Sequence, residues 1–242
     1  LITGKGSVFN LAGGAVQHVK ELFRLNPNVM RFLVARMLYA DGIAALLTIG
    51  STYVSGFLGW SLAQLILFNI LGAICAVIGA LLGGLLDRIA GPKRSIMVEL
   101  AVIMVVMVIQ FSVTPSTVFF GLMPSDQIVW AGSQFDTLGD LIYLLCVIPA
   151  GLMLGAVISS SRYMLVHISP PKQIGQFFGF YAMAGNVTVW MGPGLVALMT
   201  FLSNDQRIGV SALMFLFLSG FIIISGVRSD TIPEHLKATP KF

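Results

Sequence analysis

Two ionisable residues, Arg36 and Asp41, stand inside an otherwise apolar stretch, and their types suit ion or solute handling. Counted from Met30 at the rise of an α-helix, Arg36 lies about 9 Å and Asp41 about 16 Å along the stretch. A carboxylate so placed, followed at once by the loosening residue Gly42, suits a proton or cation that binds and leaves. Arg36 would balance that charge or attract an anion. The competing reading is a structural ion pair buried between helices. The two residues are five positions apart and do not stack on one helical face, so each is expected to find its partners elsewhere. Softer candidates are Asn69 and Gln64 in a second run, Glu99 and Gln110 in a third, and Asn186 with Thr188 in a fifth. Interhelical hydrogen bonding accounts for most such groups. Asn186, in a run interrupted by Gly192-Pro193-Gly194, is expected to bond a solute, and Asn69 completes the candidate pathway.

The elements that must position these residues are six apolar runs, 30–51, 61–86, 95–115, 138–161, 174–201 and 209–227. A hydrocarbon core about 30 Å thick takes roughly 20 residues of helix, which each run supplies, some with tilt. Hydrophobic residues make up 57% and charged residues 10% of the chain, against about 25% charged in soluble domains, so the composition is that of a membrane protein. The runs are continuously apolar, which excludes the alternating pattern of a β-barrel. The fold class is therefore all-α and polytopic.

Basic residues set the orientation. Of the 14 Lys and Arg residues, all but Arg36 and Arg207 fall before or at the very start of the first run, or after the second, fourth and sixth. Basic loops mark the cytoplasmic side, so both ends of the segment are expected to be cytoplasmic. The net charge of +4 is explained by those loops and carries no nucleic-acid inference. Residues 1–29 read as a cytoplasmic loop with an amphipathic stretch, Val16 to Leu25, suited to the membrane surface, and 228–242 as a tail. A sequence opening on Leu1 in mid-loop is expected to be a piece of something longer.

Close packing of small residues holds helices together in lipid. Gly72, Ala76, Ala80 and Gly84 share one face of the second run, with Gly79 and Gly83 on the adjoining ridge; Gly151 with Gly155, and Gly175 with Gly179, repeat the device. A kink is expected at Pro193. Cys75 and Cys146 lack any CxxC spacing and read as small packers; no metal site or cofactor is expected.

Between the second and third runs the chain reads Gly83-Gly84-Leu85-Leu86-Asp87-Arg88-Ile89-Ala90-Gly91-Pro92-Lys93-Arg94. A short loop forces an antiparallel hairpin, the bases hold it at the cytoplasmic face, and Gly83 admits a close neighbour. Asp87 can pair with a base or cap an adjacent helix. This loop resembles the signature of the major facilitator superfamily, with one extra residue between Arg88 and Gly91. The stretch 32–42, and the stretches 160–181 and 192–193, resemble the seventh, tenth and eleventh helices of the group related to the autophagy-linked vacuolar effluxers (the UMF group). The resemblance implies a C-terminal six-helix half of a secondary transporter working by alternating access, proton-coupled, in a bacterial inner membrane or its equivalent. Its implied partners are an N-terminal six-helix half, the lipid bilayer, protons and a small solute such as an amino-acid-like metabolite. In that reading Gly83, Asp87, Arg88, Gly91, Lys93 and Arg94 stabilise one of two states. Members of the group carry Asn, Gln and Lys near Ala40, Ile158 and Asn186, so this half-cavity is less polar than theirs.

Two other classes compete with a transporter. A receptor or scaffold on the same fold leaves the residues unchanged. An intramembrane aspartyl protease needs facing carboxylates, but Asp41 is near mid-membrane and Asp140 opens the fourth run. His18, His167 and His235 lie outside the runs, and no HExxH occurs, so other protease chemistries lack their residues.

Overall fold

The computed structural model describes residues 24–228. Among them six helical spans are long and apolar enough to cross a membrane. The amphipathic stretch at Val16, the tail from 229 onward, His18 and His235 lie outside the described residues.

The first span is helix α1, Pro27–Tyr53, which starts on a proline and loosens at its far end into a π-helical turn, Val54–Leu58. Gly59, at φ +71°, ends it. Helix α2, Leu62–Ala90, opens on a capping box in which the Ser61 hydroxyl accepts from the Gln64 amide and the Gln64 side chain accepts from the Ser61 amide. Gly91, at φ +82°, is the whole link to α3, Pro92–Ser112. Only glycine adopts that turn without strain, and the proline after it occupies a helix start where its missing N–H costs nothing. This is the tight hairpin that the signature loop requires.

Beyond α3 the chain leaves the apolar slab as an irregular segment containing a two-residue hairpin, β1 (Thr117–Val118) with β2 (Met123–Pro124). Helix α4, Leu138–Ile168, is N-capped by the Thr137 hydroxyl. The fifth span is broken into α5, Ile174–Val187, and α6, Met191–Ser203. The sixth is α7, Gln206–Ser211, continued by α8, Leu213–Ser225.

Several helices run past their apolar runs because hydropathy stops at a charge and helical hydrogen bonding does not. Helix α2 continues to Ala90 rather than 86, and α4 to Ile168 rather than 161. Conversely α3 stops at Ser112, three residues before the run ends at Pro115. The break in the fifth span lies at Thr188–Trp190, upstream of the expected kink. Pro193 cannot donate to the residue one turn earlier, so the discontinuity falls there and the proline sits harmlessly in the first turn of α6.

The seam between α2 and α4 is made of backbone against backbone. A Cβ on Gly79 would strike the Leu152 carbonyl, one on Gly155 the Ala76 carbonyl, and one on Gly151 would lie 2.7 Å from Cys75 Cβ. Gly83 meets Ala156 in the same way, at 2.9 Å. The seam thus takes Gly79 and Gly83 from one ridge and Gly72 and Ala76 from the other; Gly84 faces open space, as do Gly175 and Gly179. Helix α1 packs on α8, where Gly42 admits the Phe217 ring and Gly220 admits Tyr39. Asn28 fastens the two ends: its side chain donates to the Arg228 carbonyl and accepts from the Arg228 amide, both at 2.7 Å.

Candidate functional site

Arg36 reaches from α1 to α5. Its Nη1 donates to the Tyr181 carbonyl at 2.6 Å, and its guanidinium carbon lies 3.4 Å from the centre of the Tyr181 ring. Planar stacking plus one directed bond fixes the fork in a single orientation. The close approach needs Gly185, where a Cβ would come within 2.7 Å of Nη1. Nearly one turn further along α1, the buried Tyr39 hydroxyl lies 2.7 Å from Ser161 Oγ on α4. Ser161 in turn donates to the Val157 carbonyl, so Tyr39 is the donor of the pair.

These side chains wall a cleft of about 240 Å³, lined also by Arg162 of α4 and by Ile43, Ala44, Leu47, Val157 and Ile158. Two arginines, Arg36 and Arg162, therefore line one mostly apolar hollow. A second, wider groove of about 350 Å³ shares Ile43, Leu47 and Ile158 with it, and contains Asn69, Ser51 and Gln110. Asn69 Nδ2 donates to Ser51 Oγ at 3.1 Å and to the Leu65 carbonyl at 2.7 Å, joining α2 to α1.

Asp41 lies deeper. Its side chain is wholly buried and neither carboxylate oxygen accepts a hydrogen bond. Thr188, at the break of the fifth span, directs its hydroxyl to the Ala184 carbonyl at 3.3 Å. Gly192 rests on the Asp41 backbone, and a Cβ there would be 2.6 Å from the Asp41 carbonyl oxygen. Helix discontinuity and buried acid are thus side by side. Burying a bare carboxylate costs several kcal/mol, so such a group is carried with a proton or with a cation.

Asn186 lies apart from these groups. It is exposed, bonds the Ala182 carbonyl of its own helix at 2.9 Å, and lines neither hollow. Five residues beyond Tyr181, it points about 140° round the helix from the residue that holds Arg36.

The signature loop turns its acid inward. Asp87 is buried within reach of the Ser95 hydroxyl on α3 and the Ser160 hydroxyl on α4 rather than beside a base. Ser160 also donates to Glu99 Oε1 at 2.9 Å, while Glu99 Oε2 and Asp87 Oδ1 accept nothing. Lys93 donates to the Ser225 carbonyl at 2.7 Å, tying the hairpin to the end of α8; Arg88 and Arg94 are exposed.

Arg162, Tyr39 and Ser161 were not among the candidates drawn from the sequence. Arg162 read as a loop residue because the apolar run stops before it, yet α4 continues through it. The helical spacing of Met164, Leu165 and Ile168, all buried, is the signal that could have found it. Asp140 is engaged where α4 begins: Oδ1 accepts from Trp60 Nε1 at 2.5 Å and Oδ2 from Thr137 Oγ1 at 2.7 Å. Among the described residues no group of three His, Cys, Asp or Glu side chains gathers as a metal site.

Comparison with known proteins gives the lineage. The family described as vacuole effluxer Atg22 like matches residues 11–231. An uncharacterized MFS-type transporter, YxiO, of Bacillus subtilis is 26% identical over 200 residues, 83% of this chain and 41% of the relative. Autophagy-related protein 22 of Cryptococcus neoformans is 26% identical over 205 residues, 85% of this chain and 34% of the relative. Autophagy-related protein 22-1 of Aspergillus niger is 26% identical over 204 residues, 81% of this chain and 30% of the relative. The chain thus spans 41% and 34% of the lengths of the first two relatives. With six apolar spans and a family match running through all of them, the chain is an integral membrane segment that belongs to the Atg22-like vacuole effluxer family.

Proposed function

We propose that this segment is the C-terminal half of a secondary transporter of small solutes that works by alternating access and is coupled to protons through Asp41. The observation that carries the reading is Asp41 itself: a fully buried acid without a hydrogen bond, lodged against the break of a spanning helix. Discontinuous helices near the midplane are where such transporters bind their ions and solutes. The break gives the fifth span a joint, and the joint lies where the acid could be exposed to one side or the other.

The remaining surface supports a second helical body. Helix α2 and the fifth span have 11% of their most apolar window buried, against 39–44% for the other four. Both carry glycines that face open space, Gly84 on α2 and Gly175 and Gly179 on α5. Small residues on under-covered faces suit close contact with the helices of an N-terminal half. Lys93 ties the α2–α3 hairpin to α8 at the basic, cytoplasmic end, and Arg88 and Arg94 are exposed there to meet the other half. Family resemblance favours amino-acid-like solutes, exported or taken up.

The test is transport by the full-length protein in vesicles. Asp41→Asn should abolish accumulation driven by a pH gradient while leaving solute exchange in the absence of a gradient. Gradient-driven accumulation at the wild-type level in that variant would remove Asp41 from the coupling role.

A further inference from the structure

The cleft beside Arg36 has a composition that selects one charge type. Arg36 and Arg162 face it, and no acidic side chain lines it. Arg36 has one N–H committed to the Tyr181 carbonyl, and the guanidinium offers five, so donors remain for a ligand. Arg162 is exposed and no hydrogen bond to a described residue engages it. The two hydroxyls in the wall are already spent, Tyr39 on Ser161 and Ser161 on Val157. What is left to a ligand is therefore two positive forks and an apolar floor of Ile43, Leu47 and Ile158.

We infer that the cleft between α1 and α4 binds a small organic anion, a carboxylate with an apolar body, clasped between Arg36 and Arg162. A bidentate carboxylate fits guanidinium geometry. An ammonium group would find no counter-charge there, so a simple acid is favoured over the zwitterion with the same skeleton. At about 240 Å³ the hollow matches a small ligand.

That this ligand is the transported solute rests on the transport reading above; that it binds does not.

The experiment uses full-length protein in nanodiscs of phosphatidylcholine and three five-carbon probes: pentanoate, norvaline and pentylamine. Binding is read from the shift in thermal unfolding and from calorimetry. Pentanoate should bind, norvaline more weakly, and pentylamine not at all. Arg162→Gln alters an exposed side chain and should fold, yet weaken pentanoate at least about tenfold, the loss of one charged hydrogen-bonding partner. Arg36→Gln should do the same, with its unfolding profile recorded because it also loses the Tyr181 contact. Equal binding of pentylamine, or wild-type affinity in Arg162→Gln, overturns the inference. So does stabilisation through Arg162 by added phosphatidylglycerol without any by pentanoate, since the site would then hold a lipid headgroup. Pentanoate binding without proton-driven uptake of any solute would leave the anion site standing and defeat the transport reading. Proton-driven uptake of another solute without pentanoate binding would do the reverse.

Discussion

Gly192 lies directly on the backbone of Asp41: a Cβ at residue 192 would be 2.6 Å from the Asp41 carbonyl oxygen and 2.7 Å from Ala45 Cβ. The start of α6 and the middle of α1 therefore share one contact at the point where the fifth span is discontinuous. Gly192→Val should force the two helices apart. The expected cost is about 1–3 kcal/mol, the range for overpacking a close contact, seen as a lower unfolding temperature of the full-length protein. Gly194→Ala is the control, since its Cβ would meet nothing nearer than Trp190 at 3.8 Å.

The same logic separates two neighbouring glycines of α2. Gly83→Leu should disrupt the α2–α4 seam and reduce the yield of folded protein, because Ala156 backbone occupies the space. Gly84→Leu should leave this half intact. If Gly84 meets an N-terminal half, its effect will appear only in transport rates and in cross-linking between halves.

Gly185→Val tests how Arg36 is held. The new side chain would displace the guanidinium from the Tyr181 ring and carbonyl, a site about 2.7 Å away. Its expected signature is a loss of anion affinity comparable with Arg36→Gln while all charges remain. Unchanged affinity would show that the orientation of the fork is immaterial.

At the opposite end, Trp60→Phe removes the indole N–H that Asp140 accepts while keeping an aromatic ring among Phe68, Phe135 and Tyr143. A lost bond to a charged acceptor is worth about 1.5–3 kcal/mol, and the melting temperature should fall accordingly. Gradient-driven transport below that temperature should be unchanged. A transport defect in a well-folded variant would draw Asp140 into the mechanism.

How much of this was legible beforehand depends on the kind of signal. Span number and fold class follow from long apolar runs and from one-sided Lys and Arg, which are one-dimensional features. The Gly91-Pro92 turn and the burial of Asp41 also follow from local chemistry. Arg162 did not, because a charge ends a hydropathy window without ending a helix. The direction of Asn186 around its axis does not follow from its depth in a run, and Tyr181 and Gly185 settle it by packing on Arg36. That the seam takes Gly72, Ala76, Gly79 and Gly83 but not Gly84 likewise needs the partner helix, since Gly83 and Gly84 look equivalent until α4 is laid against α2.

The clasp of Asn28 on both sides of the Arg228 backbone has a practical consequence. The polypeptide enters the six helices and leaves them at the same corner, so a fluorescent protein or affinity tag hung before the first helix or after the last occupies the same neighbourhood. A reporter pair split across those two points would be held close together, and parting of the corner would register as a change in energy transfer between them.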